Sequence, residues 1–235
     1  HLKKAVLELG GSDPYVILDT DDVKASAELA WGTRMYNTGQ ACNSNKRLIV
    51  AEDIYDEFVQ ELVNLAQQME PGLPDTAGET VYAPLSSRSA AENLKEQLDR
   101  AVSAGGQLLA GGELSEEGAY ISPAVITDIP RGSDSYYEEF FGPVATVYKF
   151  KTDEEALEIA NDNVFGLGAA VFSQDSTRAQ AIAERIESGM SNVNTPTGEG
   201  PELPFGGVKR SGFGRELGSL GIEEFINKQM YFIAN

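Results

Sequence analysis

Short apolar runs alternate along the whole chain with longer stretches patterned at helical spacing, and this limits the fold to the α/β class. The expected architecture is a largely parallel sheet flanked by helices. Strands are expected at 5–9, 47–50, 108–109, 124–126, 145–150, 169–172, 190–193 and 229–233. Between them, helices are expected at 21–36, 54–69, 86–104, 153–161 and 176–187. In the second helix Phe58, Leu62 and Leu65 share one face, and in the third Leu94, Leu98 and Val102 follow at four-residue steps. Two Gly- and Pro-rich loops interrupt the pattern, at 71–84 and 195–218. The chain opens directly in a strand, which suggests a part of something longer.

Composition narrows the function. The 235 residues can bury one sizeable core, and 18 Lys and Arg stand against 37 Asp and Glu, a net charge of −19. Such a balance offers nothing to displace counterions from nucleic acid or to hold an anionic membrane surface. No apolar run approaches the roughly 18 residues of a spanning helix. The sequence contains neither G-x-G-x-x-G nor G-x-x-x-x-G-K-[ST], so a phosphate cradle is not expected within it. One Cys and one His cannot form an internal disulfide or a zinc site; no metal is expected, and a reducing, cytoplasmic compartment is the default. The single histidine, His1, stands at the chain end, so Ser-His and Cys-His hydrolase chemistry is disfavoured.

Four strings carry possible chemistry. Cys42 lies in Asn37-Thr38-Gly39-Gln40-Ala41-Cys42-Asn43-Ser44-Asn45-Lys46-Arg47, between a helix-breaking glycine and a strand. It is either a small buried hydrophobe or a reactive thiol in a junction loop. In the second case backbone N–H groups, Lys46, Arg47 or a cationic cofactor must favour the thiolate. Glu8 sits in an apolar strand before Gly10-Gly11; it is either on a solvated face or a dry carboxylate of raised pKa, fit for a general base. Glu139, followed by Phe140-Phe141-Gly142-Pro143, is either a solvated turn or part of a rigid pocket wall. The dense glycines of Pro204-Phe205-Gly206-Gly207-Val208-Lys209 allow tight turns, while Phe205 and Phe213 argue against a fully solvated loop.

Leu7-Glu8-Leu9-Gly10-Gly11, Gly39-Gln40-Ala41-Cys42, Glu139-Phe140-Phe141-Gly142-Pro143, Ser188-Gly189 through Asn192-Val193-Asn194, and Pro204 through Lys209 together resemble the aldehyde dehydrogenase superfamily, in order and in separation. The resemblance covers this whole chain but about half of the family's usual protein. It implies that a Rossmann-like cofactor domain precedes His1. It divides the chain into 1–11, the end of the cofactor-domain strand; 12–218, the catalytic domain; and 219–235, an oligomerisation segment whose strand pairs across a subunit boundary in a homodimer or homotetramer.

The resemblance also implies roles. Cys42 is similar to the nucleophile and Glu8 to the general base. Glu139 is similar to the carboxylate that holds the nicotinamide-side ribose, Phe141 to the aromatic beside the nicotinamide of NAD or NADP, and Leu9 and Gly10 to backbone neighbours of that ring. Phe205 is similar to a wall of the substrate tunnel, and Asn194 to a polar support of the pocket. The implied reaction oxidises an aldehyde to an acid through a cysteine thiohemiacetal and thioester. Glu8 weighs against the acylating branch that passes the thioester to coenzyme A. The phrases around Cys42 and from Pro204 to Gly218 are similar to the succinate-semialdehyde branch. Some members place an arginine just ahead of the cysteine, where this chain has Tyr36. Arg34, Arg210 or an arginine outside the chain then stands as reader of a substrate carboxylate. A broad aliphatic-aldehyde enzyme and a non-catalytic oligomerisation fragment are the alternatives, and the chain alone is expected to be inactive.

Overall fold

The structure is a computed structural model describing residues 2–76, 80–198 and 200–235. His1 lies outside the described residues, as do residues 77–79 of the first loop and Glu199 of the second. The strands are β1 (Leu7–Glu8), β2 (Pro14–Ile17), β3 (Arg47–Ala51), β4 (Glu70–Pro71), β5 (Val81–Tyr82), β6 (Gln107–Ala110), β7 (Ala124–Thr127), β8 (Val144–Phe150), β9 (Phe165–Gly166), β10 (Ala170–Phe172), β11 (Asn192–Val193), β12 (Val208–Lys209) and β13 (Gly212–Phe213). The helices are α1 (Val23–Met35), α2 (Glu52–Gln67), α3 (Arg88–Ala104), α4 (Asp134–Tyr137), α5 (Asp153–Asn161), α6 (Ser176–Ala183) and α7 (Gly218–Glu223).

Seven strands form the main sheet in the order β11-β10-β2-β3-β8-β7-β6, parallel throughout except for the antiparallel edge pair β6 and β7. Its interior strands are buried on both faces, as parallel crossovers require. Tyr15, Ile17, Leu48 and Val50 point to one side, where Ala27, Ala30 and Trp31 of α1 and Phe58 and Leu62 of α2 cover them. Val16, Ile49 and Val171 point to the other, against Ala156 and Ile159 of α5 and Ala179 and Ile182 of α6. Leu94, Leu98 and Ala101 of α3 close the β7 end over Ile126 and Val144.

Local chemistry explains the helix starts. Asp22, Ser87, Thr152 and Asp175 each accept a backbone N–H from the first turn of the helix they precede. Gly105, at φ 121, ends α3 in a conformation that an L side chain resists.

Several expectations change. β2 is not foreseen by the sequence pattern, because four apolar residues behind a proline show no period; the register with β3 makes them a strand. The strand expected at 5–9 shortens to β1, since its partner β13 is only two residues long. The strand expected at 229–233 is not formed. Among the described residues of this single chain no neighbouring strand meets it, and Met230, Tyr231, Phe232 and Ile233 are exposed. Among the described residues, no helix is long and apolar enough to cross a membrane.

Candidate active site

Cys42 stands on a turn built between α1 and β3. After Met35 the chain tightens into a 3-10 segment in which Asn37 and Thr38 take left-handed backbone angles, φ 51 and 54, followed by Gly39 at φ 72. The Gln40 N–H donates to the Asn37 carbonyl at 3.1 Å, and Ser44 N and Oγ both donate to the Ala41 carbonyl. Arg34, fully buried, holds the base of the turn. It donates to the carbonyls of Val144, Phe140, Gly142 and Gly39 and to Ser44 Oγ. Burial pushes the Arg34 guanidinium down to about 9. The idea that Arg34 reads a substrate carboxylate is therefore corrected: its donors are spent on backbone carbonyls. Arg47 is likewise turned away from the thiol. It donates to Ser12, Ile159 and Ala160 carbonyls, where α5 ends.

Cys42 itself is half-buried. Burial pushes its thiol up, Lys46 pulls it down, Asp13 and Glu8 push it up further, and the backbone N–H of Asn43 lowers it. Of the two cations considered from the sequence, Lys46 is the one that faces the thiol.

Glu8 comes from β1, which pairs with β13 rather than with the main sheet. Both of its carboxylate oxygens are buried without a hydrogen-bond partner. Burial raises its pKa first, Glu216 adds to the rise, and Arg215 opposes it. Its charge is close enough to act on the Cys42 thiol. A Cβ at Gly206 would come within 3.2 Å of Glu8 Oε1, so the glycine loop approaches the carboxylate directly.

Glu139 faces the same centre from the loop after α4. Its Oε1 accepts the Gly11 N–H at 3.1 Å and lies 3.1 Å from Lys46 Nζ, while its carbonyl accepts from Gln97 Nε2. Gly10, at φ 108, leaves open the space next to the carboxylate that a side chain there would occupy. Leu9 is exposed, with its N–H on the Ser211 carbonyl, and the Phe141 ring is half-exposed with Lys46 Nζ 5.7 Å from its centre. A carboxylate, a half-exposed aromatic and a side-chain-free backbone on one open edge fit the ribose and nicotinamide end of a dinucleotide.

A cavity of about 620 Å³ opens beside the turn, with Asp13, Asn43, Met190, Asn192, Phe205 and Arg215 on its wall. That volume suits a small molecule. Arg215 Nη1 donates to the Gly207 and Gly214 carbonyls and so holds the glycine loop. Arg210 and Asn194 do not line this cavity. Asn194 instead ties the end of β11 to the start of α6, accepting from Ser173 N and donating to Ser176 Oγ. Tyr36 is exposed in a separate hollow with Trp31, Met69 and Pro74. A larger cavity, about 920 Å³, lies beside α2; neither cavity has Cys42, Glu8 or Glu139 on its wall, and only the smaller one borders the turn, through Asn43.

Asp13 is the residue sequence reasoning missed. It is completely buried, its Oδ1 accepts the Gly168 N–H at 2.9 Å, and its carbonyl accepts both Lys46 N and Arg47 N. Burial pushes its carboxyl up to about 6 against the pull of Lys46. The only signal was an acid next to a proline at the head of an apolar run.

The aldehyde dehydrogenase family matches residues 1–231. The chain belongs to the aldehyde dehydrogenase family. It is 48% identical over 231 residues to a succinate-semialdehyde dehydrogenase [NADP(+)] of Deinococcus radiodurans, covering 98% of this chain and 48% of that relative. A probable succinate-semialdehyde dehydrogenase [NADP(+)] of Synechocystis is 40% identical over 235 residues, with 100% and 52% covered. Among solved structures, succinic semialdehyde dehydrogenase from Streptococcus pyogenes in complex with NADP+ superposes with a TM-score of 0.91 at 41% identity, covering 98% of this chain and 50% of that one. The chain thus spans about half the length of the curated relatives it matches.

Proposed function

We propose that this chain is the catalytic half of an NADP-dependent aldehyde dehydrogenase that oxidises succinate semialdehyde to succinate. The observation that carries the reading is the pairing of a half-buried thiol, Cys42, with a dry carboxylate that has no hydrogen-bond partner, Glu8, within electrostatic reach of each other. A buried carboxylate with nothing to hold is ready to take a proton.

The Cys42 thiolate attacks the aldehyde carbonyl and forms a thiohemiacetal. The Cys42 N–H is the donor this chain offers to the developing oxyanion, and one such donor contributes roughly 3 kcal/mol. A nicotinamide bound against Glu139 and Phe141 supplies the hydride acceptor. The thioester left on Cys42 is then opened by a water that Glu8 deprotonates. Sulfur suits this position because a thiolate leaves readily. Residues 1–11 bring the base, 12–218 the nucleophile and pocket, and 219–235 an apolar segment for contact with a second copy, in a homodimer or homotetramer. The activities for which the relatives are named support succinate semialdehyde as substrate and NADP as cofactor.

The test is a steady-state comparison of succinate semialdehyde with acetaldehyde, each with NADP+ and NAD+, on the complete product of the gene and on this 235-residue chain. Turnover of succinate semialdehyde with NADP+ by the complete product alone is the expected result. Equal rates with acetaldehyde overturn the substrate assignment, and turnover by the short chain overturns its dependence on a further domain.

A further inference from the structure

Lys46 is 1% exposed, an unusual place for an ammonium group. Burying it costs several kcal/mol unless every donor is matched. Each of its three N–H bonds has an acceptor: the Ala41 carbonyl at 2.8 Å, the Cys42 carbonyl at 2.6 Å and Glu139 Oε1 at 3.1 Å. Those acceptors belong to the two parts of the site that the proposed reaction must hold in register, the nucleophile's turn and the carboxylate of the cofactor edge. The contact with the Cys42 carbonyl has a second consequence. The N–H of that same peptide unit belongs to Asn43, the backbone group that lowers the Cys42 thiol. A cation on the oxygen end polarises the peptide and strengthens the N–H at the other end.

We propose that Lys46 is a positioning residue of the reactive centre: one buried cation ties the Cys42 turn to the Glu139 carboxylate and, through the Cys42–Asn43 peptide, favours the thiolate. The inference rests on the reading of Cys42 and Glu139 given above. The charges around it make the direction clear. Glu139, Asp13 and Arg34 face Lys46, and Lys46, Asp13 and Glu8 face the thiol. Without Lys46 the two carboxylates at the thiol act with no cation against them, and the sulfur holds its proton to higher pH.

The experiment follows alkylation of Cys42 by iodoacetamide against pH in the complete gene product, with the labelled peptide identified by mass spectrometry and no aldehyde or cofactor present. Lys46→Met and Lys46→Gln are each expected to raise the labelling midpoint by about one pH unit, roughly a tenfold slower reaction near neutrality. The glutamine amide can still donate to two of the oxygens, so this variant carries the test should the methionine one not fold. Lys46→Arg restores the charge and is expected to bring the midpoint back. A folded neutral variant that labels with the parent's midpoint overturns the proposal. A shift as expected in a protein that oxidises no aldehyde leaves Lys46 in this role and removes the proposed function instead.

Discussion

Gly39 and Gly142 meet backbone to backbone beneath the cysteine turn: a methyl group on Gly39 would run into the Gly142 carbonyl oxygen, which is itself an acceptor of Arg34. Gly39 also sits at φ 72, so both its angle and its neighbour demand a bare Cα. Gly39→Ala is expected to cost about 1–3 kcal/mol of stability and to change the rate at which Cys42 alkylates. Urea denaturation and thiol labelling on the same preparation check both.

Arg34 supports that contact from below. Replacing it with Met removes a buried cation and, with it, a side-chain donor to the carbonyls of Val144, Phe140 and Gly142, the last two keeping only their backbone donors. The expected loss is about 3–5 kcal/mol, and Arg34→Lys recovers only part, since one ammonium cannot reach acceptors arranged for a planar fork. Thermal melts of the three proteins decide this.

The pH dependence of turnover follows from Glu8. Burial raises its pKa, and a base works only when deprotonated, so kcat for aldehyde oxidation is expected to fall as pH drops through that raised value. Glu8→Gln is expected to lower steady-state turnover by about 10²–10⁴-fold and to leave the first, stoichiometric formation of reduced cofactor. A stopped-flow trace with a burst and a flat steady state is the signature.

Stability carries a second pH signal. The Asp13 carboxyl is pushed up to about 6 in the folded protein from 3.8. An acid whose folded pKa is raised stabilises the fold while it is protonated, below its unfolded value, and this contribution is lost as pH rises through the folded value. Between about pH 4 and about pH 7 the parent should therefore lose on the order of 2–3 kcal/mol relative to Asp13→Asn. The asparagine oxygen can still accept the Gly168 N–H, so the comparison isolates the charge. Urea midpoints of both proteins at each end of that range are the measurement.

Periodicity made much of the fold legible. The helix read at 153–161 coincides with α5, because Thr152 caps it and three acids fill its first turn. The helix read to 187 ends instead at Ala183, where the chain loosens before the β9 contact of Gly189. At the candidate site, what was legible is where the local string demanded special backbone, as at Gly39 and Gly10. Asp13 and the triple contact of Lys46 were not. A buried charge looks the same in sequence as a solvated one, and only the long-range approach of β2, β3 and the Glu139 loop decides which it is. The strand expected at 229–233 is not formed within the single chain, since an apolar alternation carries no information about who supplies the neighbouring edge.

The pairing of β1 with β13 divides the chemistry mechanically. The thiol is anchored to the broad central slab, whereas Glu8, the proposed proton acceptor, rides on a two-residue clip fastened to the glycine loop. A slip of one position in that clip turns the carboxylate outward while the slab stays intact. Such a molecule would still trap aldehydes, but could not let them go.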